Sequence, residues 1–253
     1  MEIVGKGFIA RNLERIAGSH PDVVAVAAGV SSTGCRSEEE FQREAELVYR
    51  TVRRCRAAGR RLLFFSSASA AMYASPGCPG REDGPVYPLS MYGRHKLAME
   101  AALALSGVDY LVLRLTHVIG AHQRIHQLLP GLVAQLRSGS IEVHRGAHRD
   151  LIAADDLVTI VDVLLERGVT GTVVNVGSGF AVPAERIVAH LEDRLGTSAA
   201  WSWVDRPVDY HVSTERLRRL VPAVAGMGFG RDYYQRVLDS YVDLYRDAPQ
   251  LSG

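Results

Sequence analysis

Lysine is nearly absent from this chain. Of its 29 basic residues only Lys6 and Lys96 are lysine, and the rest are arginine. A GC-rich coding bias gives such a drift and also explains the abundance of alanine. A lysine that survives it marks a place where guanidinium does not substitute for a compact, tunable ammonium. Cysteine is scarce as well: Cys35, Cys55 and Cys78 are odd in number and irregular in spacing. That fits neither a disulfide framework nor a zinc knuckle, and the three are expected to be ordinary thiols. No apolar run approaches the roughly 20 residues that cross a bilayer as a helix. No basic stretch leads into a signal-like apolar core either, so the expected location is the cytoplasm, with no membrane partner. Excess charge is missing too. A formal net charge of +1 gives no electrostatic case for nucleic acid. The nine histidines form no metal-spaced set: His122 and His126 lie four apart with no third ligand, so no metal is expected.

What remains is an ordinary globular composition, 47% hydrophobic and 23% charged over 253 residues. That is enough for one large α/β domain, or one domain with a small appendage. Strand and helix alternate through the first half. Glu2 to Gly5 reads as a strand, Phe8 to Ala17 as an amphipathic helix, and Val23 to Ala28 as an apolar run buried in a parallel sheet. Ser37 to Ala58 opens with Ser-Glu-Glu-Glu and ends at Gly59, good helix boundaries. Leu62 to Phe65 is the next strand, 75–88 a loop rich in Pro and Gly, and Tyr92 to Ser106 a helix. Tyr110 to Leu115 and Val173 to Val176 complete the strands. Such alternation predicts βαβ units in a doubly wound parallel sheet.

Three features carry chemistry. Gly5-Lys6-Gly7-Phe8-Ile9-Ala10 has the G-x-G-x-x-(G/A) shape between a strand and a helix, where glycine lets the backbone approach a pyrophosphate. Taken blandly, it is a tight strand-to-helix turn. Pro88-x-Ser90-x-Tyr92-x-x-x-Lys96 places a phenol and an ammonium on one face of a helix. An ammonium there favours phenolate and brings a tyrosine down from about 10 toward working pH. The phenol then exchanges a proton with a substrate hydroxyl or carbonyl. Chance supplies many Y-x-x-x-K spacings, but this one opens a helix after a strand, a serine cluster and a loop, and holds one of the two lysines. A third hydroxyl belongs at the end of the preceding strand. Ser66, Ser67 and Ser69 are candidates, of which Ser67 and Ser69 share a face. Serine also simply ends strands.

In these motifs the chain resembles extended short-chain dehydrogenases/reductases of the NAD-dependent epimerase/dehydratase family, which act mostly on nucleotide sugars. The likeness runs from the glycine turn to about residue 220. It takes in Ala27-Ala28, Ser66-Ser67-Ala68-Ser69, Tyr92 and Lys96, Leu113-Arg114-Leu115, and Val118-Ile119-Gly120. It continues through Arg149-Asp150-Leu151-Ile152, Asp155-Asp156-Leu157, Asn175-Val176-Gly177-Ser178-Gly179 and Arg206-Pro207. The resemblance implies a Rossmann-like nucleotide-binding core over 1–145. A small C-terminal substrate lobe over 146–253 would lend one late strand, about 172–177, to that core. It implies Tyr92, Lys96 and Ser67 or Ser69 as catalytic residues. Gly5, Lys6, Gly7, Phe8, Ile9, Ala27, Ala28 and Lys96 would bind NAD or NADP, with neither preferred. Ser69, His117, Arg149 and Arg206 would bind a small-molecule substrate such as a nucleotide sugar. A homodimer through the helix bearing Tyr92 and its neighbour is also implied.

Departures from the family pattern bear on this. Between the first helix and Val23 there is room only for a short loop, where the family places one or two further strand–helix units. The absent strands form one edge of the sheet, on the side that holds the adenosine. Val4 and Ala10 stand where the family often has its first and third glycines, and His117 replaces a common Asn. No acidic pair follows Ser67, which disfavours 4,6-dehydratase chemistry. Three readings stand: an NAD(P)-dependent reductase or dehydrogenase acting on a keto or hydroxyl group, a nucleotide-sugar epimerase using the same residues, and a non-catalytic or cofactor-independent binding module.

Overall fold

Short segments apolar on every residue become strands buried on both faces, and the longer amphipathic segments cover them. The computed structural model describes residues 1–75, 77–205 and 210–246. Its first half runs β1 (Glu2–Val4), α1 (Phe8–Leu13), β2 (Val23–Val26), α2 (Glu38–Ala58), β3 (Arg61–Ser67), α3 (Ala70–Tyr73), α4 (Met91–Ala104) and β4 (Tyr110–Leu115). Then follow β5 (His117–Ile119), α5 (Leu128–Arg137), β6 (Ser140–His144), β7 (His148–Ala153), α6 (Ala154–Glu166) and β8 (Thr172–Val176). The last elements are β9 (Ala181–Pro183), α7 (Ala184–Leu195), β10 (Ala200–Val204), α8 (Glu215–Leu220) and α9 (Tyr233–Tyr241).

The central sheet is wholly parallel in the order β1-β2-β3-β4-β8. Its side chains alternate between two layers. Val23, Ala25, Leu63, Leu111 and Leu113 pack against Leu157, Val161 and Leu164 of α6. Val24, Val26, Leu62, Phe64 and Val112 pack against Val48 and Val52 of α2 and Met99 and Leu103 of α4. The expected loss of edge strands is visible in this order: β1 ends the sheet. A second apolar cluster gathers α5, β6, β7, α7 and α9, among them Leu129, Ile141, Leu151, Leu191 and Val237. No helix of the described residues is long and apolar enough to cross a membrane.

Local chemistry explains the boundaries. Ser37 caps α2 by accepting from Glu40 N, and Gly59 ends it with φ of 61°, a left-handed conformation that suits glycine. The first helix is shorter than its apolar pattern suggests. It stops at Leu13, and Glu14–Ser19 tightens into a 3-10 turn that ends in Gly18 and Ser19, poorer helix formers than alanine. Strand β3 runs through Ser67, past the apolar segment, because its last residues still pair with Arg114 and Leu115 of β4.

A buried polar network ties the layers behind the sheet. Glu100 of α4 takes two hydrogen bonds from Arg114 Nε, at 3.0 and 3.1 Å, and one from Nη2 at 2.6 Å. Arg114 Nη1 donates to Tyr73 Oη at 2.6 Å, and Tyr73 donates to Asn175 Oδ1 at 2.7 Å. Burial pushes the Tyr73 phenol up to about 12 despite the neighbouring guanidinium. It stays a hydrogen-bond donor, and Arg114 and Asn175 thus serve structure.

Candidate active site

Helix α4 begins at the mouth of the parallel sheet. Ser90 caps it, its Oγ accepting from Gly93 N at 3.0 Å. A Cβ on Gly93 would lie 2.0 Å from the Ala71 carbonyl oxygen, so α3 and α4 touch backbone to backbone there. This contact fixes the first turn, from which Tyr92 and Lys96 face the C-terminal end of β3. Both are buried, Tyr92 at 6% and Lys96 at 3% exposure. Lys96 Nζ lies 5.8 Å from the centre of the Tyr92 ring and 5.1 Å from that of Phe64. It donates to the Phe65 carbonyl at 3.4 Å and to Glu44 Oε1 at 2.6 Å.

Glu44, on α2, did not stand out in the sequence. Its other oxygen accepts from Val30 N at 2.9 Å and faces His95 Nε2 at 3.2 Å. Burial pushes this carboxyl up, but His95, Lys96 and the Val30 amide outweigh it and hold it below the ordinary glutamate value. It is therefore a carboxylate at neutral pH.

The serines separate by partner. Ser66 donates to Glu100 and belongs to the buried network. Ser67 Oγ donates to Ser69 Oγ at 2.8 Å, and Ser69 caps α3, accepting from Ala71 N at 3.3 Å. Ser67 and Ser69 line the same cavity as Tyr92, Lys96 and Glu44, a cleft of about 400 Å3. Phe8, Ile9 and Ala27 also line it, as do His117 and Arg149. Burial and the charge of Arg149, opposed by a backbone hydrogen bond at Asp150, push the His117 imidazole down to about 3. The ring is neutral, and its Nδ1 is shielded from solvent with no hydrogen-bond partner among the described residues. A second cavity of about 330 Å3 adjoins the first, sharing Leu128 and Arg149.

The structure does not bring all the expected residues to this cleft. Gly5, Lys6, Gly7 and Ala28 lie outside its walls. Gly5 has φ of 140°, and a Cβ on it would lie 2.5 Å from the Ala27 carbonyl oxygen. Its missing side chain therefore serves the passage between strands. Lys6 is exposed. A Cβ on Gly7 would meet nothing within 4 Å, so the turn has open space beside it. Arg206 lies outside the described residues. The fit to a dinucleotide is thus one-sided. On the nicotinamide side, Lys96 has three N–H groups and, among the described residues, two acceptors, which leaves one donor for a ligand in the cleft. On the adenosine side, the sheet ends at β1.

Comparison with known proteins agrees with this architecture. The sequence pattern of the NAD dependent epimerase/dehydratase family matches residues 9–177. A dTDP-6-deoxy-L-talose 4-dehydrogenase (NAD(P)(+)) from Kitasatospora kifunensis is 31% identical over 203 residues, covering 74% of this chain. The chain spans 63% of that relative's length. Among solved structures, RMD from Pseudomonas aeruginosa complexed with NADPH superposes with a TM-score of 0.78 at 18% identity, covering 97% of this chain and 99% of that one. UDP-N-acetylglucosamine 4-epimerase from Methanobrevibacter ruminantium M1, in complex with UDP-N-acetylmuramic acid, gives 0.74 at 21% identity, covering 92% and 79%. These two likenesses speak for the fold. The family match over two-thirds of the sequence, together with the parallel sheet and the Tyr92/Lys96 helix, establishes that the chain belongs to the NAD dependent epimerase/dehydratase family.

Proposed function

We propose that this protein is an NAD(P)-dependent dehydrogenase or reductase acting on a hydroxyl or keto group of a nucleotide sugar. The observation that carries the reading is the convergence of Tyr92, Lys96, Ser67 and Ser69 on one cleft. When bound, the nicotinamide supplies or takes up the hydride. Tyr92 gives its phenolic proton to the oxygen of the reacting carbonyl in reduction and recovers it from the hydroxyl in oxidation. Lys96 stabilises the tyrosinate that results and keeps one N–H for the nicotinamide ribose. The hydrogen-bond order favours Ser69 as the hydroxyl that meets the substrate oxygen. It already accepts from Ser67 and from Ala71 N, so its own proton is free. Phe8, Ile9 and Ala27 offer apolar and backbone surface for the nicotinamide end.

The second cluster, with α5, β7 and α7, is the substrate lobe in this reading. The neighbouring cavity takes the nucleotide, and Arg149, which lines both cavities, meets the diphosphate between the two moieties. The neutral His117, whose Nδ1 has no partner among the described residues, hydrogen-bonds the sugar. Loss of water to an acidic pair is disfavoured, since Ala68, Ala70 and Ala71 surround Ser69.

Calorimetric titration with NAD, NADH, NADP and NADPH tests the cofactor. Turnover of dTDP-6-deoxy-L-talose and of UDP-sugars, followed by nicotinamide absorbance, then tests the chemistry. Saturable binding of one dinucleotide and substrate-dependent reduction or oxidation of it are expected. Absence of binding by all four at millimolar concentration overturns the reading.

A further inference from the structure

Glu44 is a carboxylate where the amphipathic pattern of α2 calls for an apolar side chain. It lies on the buried stripe of that helix with Val48, Thr51, Val52 and Cys55, and its side chain is 2% exposed. A buried acid persists only where partners replace its water. The partners here converge on Lys96: its ammonium at 2.6 Å, the adjoining His95 at 3.2 Å, and the amide of Val30 at 2.9 Å. The chain also makes room for the group, since a Cβ on Gly29 would lie 2.4 Å from Glu44 Oε1.

We infer that Glu44 is a positioning residue for proton transfer: it aims the Lys96 ammonium and offsets its charge toward Tyr92. This rests on the reading of Tyr92 and Lys96 as the proton-transfer pair. Lysine is a point charge on a flexible stem, and Glu44 with the Phe65 carbonyl engages two of its three donors. An ion pair is also a weaker lever on a neighbouring phenol than a bare cation. With Glu44 charged, the Tyr92/Lys96 pair releases its first proton at higher pH than without it, whichever of the two gives it up. The other groups around the pair do not duplicate this role. His95 of α4 shares the same carboxylate. Strand β3 presents the Phe64 ring and the Phe65 carbonyl. On the β4 side Arg114 and Glu100 neutralise each other, and His117, Arg149 and His126 line the cavity. Glu44 is thus the carboxylate bonded to Lys96 itself.

The scarcity of lysine makes a direct test practical. Protein labelled with carbon-13 at the lysine ε-carbon gives two resonances, one from exposed Lys6 as internal reference and one from Lys96. In Glu44→Gln the Lys96 titration midpoint falls by at least about one pH unit relative to the unsubstituted protein. Lys6 does not move, and Glu44→Asp restores most of the shift. Gly29→Ala pushes the carboxylate off Lys96 without removing it and moves the midpoint in the same direction, which keeps the test available if Glu44→Gln fails to fold. A midpoint unchanged within about 0.3 unit in a folded Glu44→Gln or Gly29→Ala protein overturns the inference. Tyr92→Phe examines the underlying pair separately. It removes the component of the Lys96 curve that comes from Tyr92. If that curve is unaltered while Glu44→Gln still shifts it, the Tyr92/Lys96 pair is at fault and Glu44 acts on Lys96 alone.

Discussion

Removing single hydroxyls from Tyr92 and Tyr73 separates catalysis from architecture, because the two phenols sit in opposite circumstances. Among the described residues, the Tyr92 hydroxyl bonds to nothing in the chain. The charged neighbour of its ring is Lys96 Nζ, 5.8 Å from the ring centre. Tyr92→Phe therefore keeps the buried ring and strands no partner, and stability changes by less than about 1 kcal/mol. Its cost is proton transfer, about 10²–10⁴-fold in turnover. Tyr73, only 1% exposed, accepts from Arg114 and donates to Asn175. Tyr73→Phe leaves a buried donor and a buried acceptor each short of a bond, about 1–3 kcal/mol. For a chain of this size that lowers Tm by roughly 2–12 °C, while the proton-transfer hydroxyl is untouched. Thermal unfolding by circular dichroism and turnover by nicotinamide absorbance, on both variants with the same substrate, give the comparison. A Tyr92→Phe protein that keeps more than about a tenth of wild-type turnover refutes the assignment.

Gly93→Ala drives a Cβ to within 2.0 Å of the Ala71 carbonyl oxygen and separates α3 from α4. We expect about 1–3 kcal/mol of destabilisation in chemical unfolding and a loss of turnover larger than Tm alone explains, because Tyr92 is the adjacent residue. His117, held neutral down to about pH 3, contributes no limb to a pH–rate profile between about pH 5 and 8. His117→Asn is expected to raise KM and leave the shape of that profile alone. The carboxyl of Glu44 is held below its ordinary value, so its contribution to stability is present above its unfolded value. It is lost as pH falls below the ordinary glutamate range and through the folded one. The Tm difference between the wild type and Glu44→Gln should therefore shrink over that acid range; a difference that grows on acidification there contradicts the sign.

Much of the core was legible because buried parallel strands announce themselves as apolar runs between turn signals. Tyr110–Leu115 is read to the residue, and Ser37 and Gly59 mark the ends of α2. The Tyr92/Lys96 helix was found through spacing and through the rarity of lysine. The second half was read thinly, for a physical reason. Strand β6 is Ser-Ile-Glu-Val-His, alternately exposed and buried with only two buried residues, too short for a period to emerge from a single sequence. Glu44 escaped notice because its helix opens with Glu38, Glu39 and Glu40, and an acid beside an acidic run reads as solvated. The available signal was positional. Glu44 sits four residues before Val48 and eight before Val52, on the buried stripe. The glycine turn carries two readings at once: a Cβ on Gly5 would meet the Ala27 carbonyl, a packing reason that the G-x-G pattern alone does not distinguish from ligand approach.

The shortened sheet is finished at its new edge. Strand β1 spans three residues, each only half-buried, whereas the next strand, β2, is buried throughout. A short, charged edge discourages pairing with another chain. Glu2 supplies the charge, held by Arg60 at 2.6 Å and by Arg54; the Arg60 hydrogen bond above all pulls its carboxyl below the ordinary value against the opposing effect of burial, with Arg54 adding to it. An edge secured in this way costs the core little, and among the described residues no further strand lies beyond β1. The residues on which the proposed function rests gather at the cleft. There α4 brings Tyr92 and Lys96, β5 and β7 bring His117 and Arg149, and a second cavity opens behind Arg149.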